Sequence, residues 1–342
     1  MNARSVLKWL AYRSGALGAI HRFRNREHLT VAMFHRVLPE TSPEWQGADP
    51  TYTVSDRLFS ECLDFFKRHY TVVPLEALLA ACEGRERLPG RSLLITFDDG
   101  WADNEVVALP LLRRAGLPAV IFVVADAIDE APGSWWQETV FAAWREEKLS
   151  GGDAETLWRA AGGTSTNSPD FAAADGIIAL TAQLAMLAPA ARQSLLAPYD
   201  RGTVARQMLA PVQLRHLLRN GVEVSSHGAT HVPLTLVECP EAELRRSRED
   251  LRQLRGDGVA PLALSFPHGR YTSEIVQLAR AAGYRAQFTS DSRLNPISEG
   301  RPADDLFGRI SVQASEIADV NGQLRPELLA LWLFLRPVGS AG

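Results

Sequence analysis

Short apolar runs alternate with segments of helical periodicity along most of the chain, and this alternation predicts the fold. The apolar runs end at polar residues or glycine, which is typical of buried strands. The predicted strands are residues 29–34, 92–97, 119–124, 222–225, 263–266 and 309–312. The predicted helices are residues 56–68, 108–115, 212–219, 241–254 and 273–282. Such an alternation indicates a parallel sheet covered by helices, either open or closed into a barrel.

Residues 126–205 interrupt this alternation with an alanine-rich stretch of helical character. We interpret them as a helical insertion in one domain at residues 29–315, with a basic helical segment at 1–28 and a helical tail at 316–342. The insertion holds half of the eight tryptophans, namely Trp135, Trp136, Trp144 and Trp158. Aromatic rings can stack on sugars, but at these spacings we favour tryptophans that pack the insertion onto its host domain.

The N-terminal segment is basic, and arginines interrupt each of its apolar runs. This pattern does not fit a signal peptide, so we expect a cytoplasmic protein. A basic helix with one apolar face could lie at a membrane surface, although we favour a helix packed on its own domain. The apolar residues concerned are Val6, Leu7, Leu10, Leu17 and Ile20, and the basic ones are Arg4, Lys8, Arg13, Arg22, Arg24 and Arg26.

Composition argues against several other classes of protein. The formal net charge of −4 disfavours a nucleic acid as the main partner. Cys62, Cys82 and Cys239 are widely spaced and form no Cys-x-x-Cys pair. A disulfide framework or a thiolate metal site is therefore not expected.

Polar residues capable of chemistry follow three of the predicted strands. Asp98 and Asp99 follow the strand at 92–97, His227 and His231 follow the strand at 222–225, and His268 follows the strand at 263–266. Parallel sheets assemble their active sites at this carboxyl edge. Two imidazoles and one carboxylate are a common ligand set for catalytic zinc, and a second aspartate could accept a proton from water.

The motifs resemble those of a known family. Thr96-Phe97-Asp98-Asp99-Gly100 and His227-Gly-Ala-Thr-His231 resemble the first two motifs of the NodB-type polysaccharide deacetylases, carbohydrate esterase family four. The third motif of that family, Arg-x-Pro-Tyr, stands here as Ser265-Phe266-Pro267-His268. The resemblance covers residues 29–125 and 207–312, and segments 32–37 and 59–79 resemble the exopolysaccharide branch.

The resemblance implies a fold and an activity. The fold would be a distorted (β/α) barrel of about seven parallel strands, and the reaction a metal-dependent removal of an N-acetyl group. The substrate would be an amino sugar in an exopolysaccharide or lipid-linked glycan. Asp98 would be the general base, and Asp99, His227 and His231 would hold a divalent ion, zinc before cobalt or nickel. The backbone N–H of His268 would help to bind the oxyanion.

Two departures from the family pattern leave roles to be filled. No histidine follows His268, so the family's late catalytic acid is missing. His35, at the end of the first strand, is our first candidate for that acid and His268 the second, whereas His69 and His216 look structural. Ser265 replaces the arginine that steadies the base, and Arg309 could supply this cation by another route.

Two alternative functions remain open at this point. The first is a hydrolase of the same fold that acts on a non-sugar amide. The second is a non-catalytic, glycan-binding relative, which the altered third motif and the missing late histidine would suggest. The sequence does not predict the oligomeric state.

Overall fold

A computed structural model describes residues 3–128, 135–200 and 207–339 of this protein. Small parts of three predicted segments therefore lie outside the described residues. These are residues 1–2 of the N-terminal segment, 129–134 and 201–206 of the insertion, and 340–342 of the tail.

The described residues contain thirteen strands, of which the longest are apolar and buried along almost their whole length. They are β1 His28–Phe34, β2 Arg36–Leu38, β3 Thr53–Ser55, β4 Thr71–Val72, β5 Ser92–Phe97, β6 Ala119–Val123, β7 Val222–Ser226, β8 Ala263–Ser265, β9 Ala286–Phe288, β10 Asn295–Ser298, β11 Arg301–Pro302, β12 Leu306–Phe307 and β13 Ile310–Ser311.

Fourteen α-helices accompany these strands within the described residues. They are α1 Ala3–Arg13, α2 Ala16–Arg24, α3 Asp56–His69, α4 Leu75–Cys82, α5 Leu109–Ala115, α6 Trp136–Arg145, α7 Gly151–Ala160, α8 Ala174–Leu184, α9 Pro189–Leu196, α10 Pro211–Arg219, α11 Pro240–Arg255, α12 Ser273–Ala281, α13 Ala314–Ile317 and α14 Pro326–Phe334.

The main sheet is a curled parallel sheet that the last strands bring back to the first. Its central order is β1-β5-β6-β7-β8-β9-β12, and every pair in this run is parallel. The chain leaves β12 and forms β13 only two residues later, and β13 pairs in parallel with β1. Arg309 lies in this short connection, where the two ends of the sheet meet. The architecture is the distorted (β/α) barrel that the sequence predicted.

Alternation along the strands decides which side chains enter the barrel. Val31, Leu94, Phe122 and Phe288 share one buried cluster inside the sheet. The intervening residues, such as Phe97, join a second cluster beneath the helices. Successive strand residues point to opposite faces, so positions two or four beyond the inner residues also point inward. The same alternation makes four residues at the ends of the strands point inward, and it places them at the mouth of the barrel. These residues are His35, Asp98, His227 and Ser265.

The helices α6 to α9 of the insertion have a hydrophobic cluster of their own. Phe141, Leu157, Ile177 and Leu180 are buried in it, and Trp136, Trp144 and Trp158 pack against it. A buried ion pair joins α6 to the barrel, since Arg36 Nη1 lies 3.0 Å from Glu138 Oε2. Three of the four tryptophans of the insertion therefore pack against the insertion's own cluster, whereas we predicted that they pack the insertion onto its host domain.

The N-terminal helices dock on the domain through fewer residues than expected. Leu17 and His21 are buried, and the His21 ring stacks on Phe334 of α14 at 4.0 Å. The predicted apolar face otherwise points outward, because Val6, Leu7, Leu10 and Ile20 are all exposed. Both helices are docked on the domain, as the preferred interpretation required, but four of the five apolar residues named for these helices face solvent. Among the described residues, no helix combines the length and the apolar character needed to cross a bilayer.

Most of the elements that the sequence did not predict are short strands. Neither α4 nor β2, β3, β4 and β9 to β12 was predicted, and none of these strands exceeds four residues, too few to show a periodic pattern. The last strand was predicted at residues 309–312, but in the structure it begins one residue later, at Ile310. Arg309 therefore precedes the strand. Ser55 caps α3 by accepting a hydrogen bond from the backbone N–H of Leu58, so this helix begins at residue 56 as predicted.

Candidate active site

The mouth of the barrel brings together one carboxylate and two imidazoles. His227 Nε2 lies 3.5 Å from Asp99 Oδ1, and His231 Nε2 lies 3.3 Å from the same oxygen. All three side chains are buried, and one potential ligand atom from each lies within 4.8 Å of the others. Two imidazoles and one carboxylate with one open position are the usual protein ligands of catalytic zinc.

The hydrogen bonding of His227 shows that this group suits a cation. His227 Nδ1 donates to the backbone carbonyl of Ser265 at 2.9 Å, so in the neutral ring Nε2 carries a lone pair. Burial lowers the pKa of His227 to about 4, which favours that neutral ring. Its Nε2 therefore directs electron density at the oxygens of Asp99 and Asp98, 3.5 and 3.9 Å away. A divalent ion between them would turn this repulsion into coordination, so the donor set fits such an ion.

The second aspartate of the pair is held from the opposite side. Arg309 Nη1 and Nη2 each donate at 2.7 Å to a different oxygen of Asp98, and Arg309 Nη2 also donates to Ser265 Oγ at 2.8 Å. Arg309 Nε donates to the Thr289 carbonyl, which fixes the plane of the guanidinium. Such a two-point pair orients a carboxylate as well as neutralising it.

The arginine also decides the protonation state of Asp98. Burial would raise the pKa of this carboxyl group, but the adjacent Arg309 guanidinium outweighs that effect and holds the pKa below its ordinary value. Asp98 is therefore an acceptor, and its Oδ2 faces His227. Ser265 Oγ lies within hydrogen-bond distance of both Asp98 and Arg309, so the Arg309 guanidinium stands beside the residue that takes the place of the family's third-motif arginine.

Both histidines proposed as catalytic acids line the same cavity of about 280 Å³ as the two aspartates. The His35 ring lies 4.5 Å from the ring of Tyr52, and the His268 ring lies 4.5 Å from that of His231. His268 Nε2 is buried and has no partner among the described residues. Burial lowers the pKa of His35, and it lowers the pKa of His268 to about 2.

Backbone strain at the site shows that its geometry is imposed by the fold. Asp99, His231 and His268 have φ angles of 74°, 61° and 57°. This left-handed region is costly for residues other than glycine, and such strain persists where the surroundings dictate the conformation. The loop between the two histidines is held by Glu243 of α11, whose Oε1 accepts from the backbone N–H groups of Ala229 and Thr230.

Two tryptophans surround the carboxylate and imidazole group. Trp101 Nε1 donates to Asp99 Oδ2 at 3.0 Å, which leaves Asp99 Oδ1 directed at the histidines. The Arg36 guanidinium lies over the Trp101 ring at 4.3 Å. Trp135 of the insertion has its ring 5.5 Å from that of His231. The prediction that the insertion's tryptophans serve only to pack it onto its host is therefore wrong for Trp135.

The insertion also forms one wall of the cavity. Gln137 of α6, Ala182 of α8, and Ala185 and Met186 just beyond α8 line it opposite the sheet edge. These residues carried no motif, and only the tertiary structure brings them to the site. Trp101 could have been noticed because it directly follows Asp98-Asp99-Gly100, but Glu243 lies in a helix with many similar charges.

The two histidines interpreted as structural lie away from the cavity. His69 ends α3, and its Nε2 lies 3.3 Å from the hydroxyl group of Tyr12. His216 of α10 pairs with Glu105 at 2.5 Å. Both have partners of their own, and neither lines the cavity.

The chain matches the family model described as Polysaccharide deacetylase over residues 85–287. The chain belongs to this family. The match includes Asp98, Asp99, His227, His231 and His268, whereas His35 and Arg309 lie outside it.

Individual relatives are more distant. The chain is 37% identical over 60 residues to YxkH of Bacillus subtilis (strain 168), whose name assigns it to the polysaccharide deacetylases; the match covers 18% of this chain and 21% of YxkH. The fold is similar to that of Streptococcus pyogenes deacetylase PplD in complex with acetate, at 16% identity, with a TM-score of 0.56 and coverage of 90% and 98% of the two chains. It is also similar to IcaB from Ammonifex degensii, at 19% identity, with a TM-score of 0.55 and coverage of 90% and 97%.

Proposed function

We propose that this protein is a divalent-metal-dependent hydrolase that removes the N-acetyl group of an amino sugar in an exopolysaccharide or a lipid-linked glycan. The observation that supports this most is the position of Asp98, paired with Arg309 on one side and facing the Asp99, His227 and His231 group on the other. A base beside a metal-binding group is an arrangement suited to metal-assisted hydrolysis of an amide by water.

Asp99, His227 and His231 would hold the ion, zinc before cobalt or nickel. A divalent ion there would act as a Lewis acid on the acetamide carbonyl and on the attacking water. Asp98 Oδ2 would take the proton from that water, while Arg309 keeps the carboxylate ionised and oriented. Water adds to the carbonyl carbon, the C–N bond breaks, the nitrogen takes up a proton, and the products are acetate and the free amino sugar.

The departing nitrogen needs that proton. We assign its delivery first to His35 and second to His268, since both line the cavity beside Asp98. Because burial lowers the pKa of both rings, each would stay neutral until it receives the proton that Asp98 has taken from water. His35→Gln should lower kcat with little change in KM, and His268→Gln should have the smaller effect on kcat.

Acetate release from N-acetylglucosamine oligomers and from lipid-linked N-acetyl sugars tests the proposal. The zinc-loaded enzyme should release acetate, and Asp98→Asn should lower kcat about 10²- to 10⁴-fold, the range typical of a lost general base. Asp126→Asn is the matched control, because Asp126 pairs with Arg246 on the surface. Normal turnover by Asp98→Asn would contradict the assigned base, and activity confined to non-sugar amides would contradict the substrate class.

A non-catalytic role has less support than the sequence alone suggested. Its main argument was the loss of the third-motif arginine at Ser265. Arg309 now supplies a guanidinium 2.7 Å from both oxygens of Asp98, so the base has its cation.

A further inference from the structure

Large apolar side chains that remain exposed are concentrated on α1 and α2. Fourteen such residues occur in the described part of the chain, and six of them lie on these two helices. Leu7 is 69% exposed and Phe23 is 81% exposed. The other four are Val6, Trp9, Leu10 and Ile20. A concentration of this kind marks an interaction surface, whereas single exposed apolar residues are ordinary.

Helical spacing places these side chains on continuous faces. On α2, Ala16, Ala19, Ile20 and Phe23 recur at i, i+3, i+4 and i+7, and all four are exposed. On α1, Val6, Leu7, Trp9 and Leu10 occupy adjoining positions on the outer side. Residues three and four apart are neighbours on a helix surface, so each helix presents one apolar stripe to solvent.

The opposite faces of the same helices hold them to the domain. The Tyr12 hydroxyl contacts His69 Nε2, and His21 Nε2 donates to the backbone carbonyl of His69 at 3.0 Å. Arg24 donates through Nη1 to the carbonyl of Phe334 and through Nη2 to that of Arg336, each at 2.7 Å. The outward apolar stripes therefore belong to docked helices.

Charge is distributed just as unevenly as apolar surface. Residues 1–26 contain six lysines and arginines and no aspartate or glutamate, although the whole chain has a formal charge of −4. Within the described residues, five of these cations are exposed and form no ion pair with an acidic side chain. They are Arg4, Lys8, Arg13, Arg22 and Arg26.

A groove of about 250 Å³ between α1 and α14 extends this surface. Its lining combines cationic Lys8 and Arg336 with apolar Trp332 and Leu335, and it also includes the acidic Glu316 beside Arg336. Leu335 is itself 45% exposed, as is Val338 to a similar degree at 44%. The mixture of cations and apolar side chains thus continues from α1 onto the end of α14.

We propose that α1 and α2, with the adjoining end of α14, bind the protein peripherally to a bilayer that contains anionic phospholipid. Apolar stripes flanked by unpaired cations match the layer between lipid headgroups and acyl chains. The apolar side chains would enter the acyl boundary, and the cations would contact lipid phosphates. The charge of the surface favours this partner over a second copy of a chain whose net charge is negative.

The proposed surface and the candidate active site lie at opposite ends of β1. The helix α2 leads into the first residue of β1, whereas His35 follows its last residue. Seven strand residues separate them, which corresponds to roughly 20 Å. Membrane binding is therefore separate from the proposed hydrolysis, and either proposal can fail without the other.

Flotation of the full chain with lipid vesicles tests this inference. The protein should float with vesicles of phosphatidylglycerol and phosphatidylcholine mixed one to one, and much less with pure phosphatidylcholine. Raising the salt concentration should weaken binding to the mixed vesicles. Leu7→Ser, Leu10→Ser and Phe23→Ser combined should reduce the bound fraction at least tenfold, because each large apolar side chain that leaves water contributes about that factor or more.

Matched variants separate the two components of binding. Arg4→Gln, Lys8→Gln and Arg13→Gln combined should markedly reduce the preference for phosphatidylglycerol, because three of the five exposed cations are removed. Val259→Ser and Val320→Ser combined form the control, since both valines are exposed but distant in sequence from this basic segment. The control should bind like the unchanged protein.

The serine variant is the protein with Leu7→Ser, Leu10→Ser and Phe23→Ser combined. Either no flotation of the unchanged protein or equal flotation of the serine variant would overturn the proposal. The proposal would also be overturned if the unchanged protein bound no vesicles but sedimented as a dimer, and the serine variant sedimented as a monomer. Acetate release from a soluble oligomer should stay within about twofold in the serine variant. That readout also shows that the variant is folded, and it keeps a failure of membrane binding distinct from a failure of the proposed hydrolysis.

Discussion

The carboxyl edge of the sheet and the N-terminal helix pair depart from ordinary burial in opposite directions. At the sheet edge, Asp98, Asp99, His227 and Arg309 are buried although all are polar or charged. On α1 and α2, large apolar side chains such as Leu7 and Phe23 stay in water. Buried charge is costly unless it is paired, and exposed apolar surface is costly unless it is later covered.

The two regions handle these costs differently. The sheet edge compensates within the chain, because Arg309 pairs with Asp98, and Asp99, His227 and His231 leave room for one cation. The helix pair has no such compensation among the described residues, and the proposed bilayer would supply its cover. An unusual burial pattern is therefore most informative when it is compared with the partners that the chain itself supplies for the buried charges or the exposed apolar side chains.

The largest expected effect comes from removing a residue of the candidate metal-binding group. Asp99→Ala or His227→Ala should lower kcat/KM at least about 10³-fold, because two ligands bind an ion much more weakly than three. The zinc content per chain, measured by mass spectrometry, should fall in parallel. His216→Ala is the matched control, as His216 lies in α10 outside the cavity. Full activity of Asp99→Ala after chelation would contradict the assignment.

Removing the cation that compensates Asp98 should affect both stability and activity. Arg309→Met leaves a buried carboxylate without its partner, which should cost about 3 kcal/mol or more in the free energy of unfolding. The value of kcat should fall about 10²-fold, because Asp98 loses its orientation. Urea unfolding and steady-state kinetics measure the two effects.

A double variant and a control isolate the role of Arg309. Arg309→Met combined with Asp98→Asn should regain much of the stability but none of the activity. Arg255→Met is the control, because Arg255 is similarly buried and pairs with Glu223 and Asp257 far from the cavity. It should destabilise the protein and leave kcat unchanged. An unchanged kcat and pH profile in Arg309→Met would remove Arg309 from the mechanism.

Acid should loosen the docking of the N-terminal helices. Burial lowers the pKa of His21 from its ordinary value of 6.5 to about 4, helped by the positive charge of Arg91. Asn25 Nδ2 donates to His21 Nδ1, so a proton on that nitrogen would displace this contact. The folded state therefore resists protonation of His21, whereas the unfolded state accepts it below pH 6.5.

The sign of this effect follows directly. The contribution of neutral, buried His21 to the free energy of unfolding is complete above pH 6.5. As the pH falls toward 4, the free energy of unfolding decreases by about 2 to 3 kcal/mol. Unfolding free energies at pH 7.5, 5.5 and 4.5 should therefore fall less steeply for His21→Gln than for the unchanged protein. Equal slopes for the two proteins would show that His21 does not carry the effect.

The smallest expected effects are those of substitutions at the exposed apolar residues of α1 and α2. Leu7→Ser and Phe23→Ser should each change the free energy of unfolding by less than about 0.5 kcal/mol, because both side chains are already exposed. Leu17→Ala on the docked face of α2 should cost about 2 kcal/mol or more. Thermal unfolding of the three variants measures this contrast. A large decrease in the free energy of unfolding of Leu7→Ser would show that the Leu7 side chain packs against the rest of the protein.

The sequence by itself determined the parallel α/β architecture and the residues expected at its active edge. Continuous apolar runs specify buried strands, and residues that directly follow such runs must lie at one edge of a parallel sheet. Asp98, Asp99, His227 and His231 could be brought together on this local logic alone, with the family motifs supporting the choice.

Only the tertiary structure decided how that group is completed. Arg309 reaches Asp98 because the chain between β12 and β13 closes the sheet against β1, and nothing local in the sequence encodes that closure. Met186 reaches the cavity and Trp135 approaches His231 because the insertion folds over this edge of the sheet. The outward stripes of α1 and α2 arise because Leu17 and His21 take the docked face. Such long-range pairings depend on packing between distant segments, which periodicity within one segment does not report.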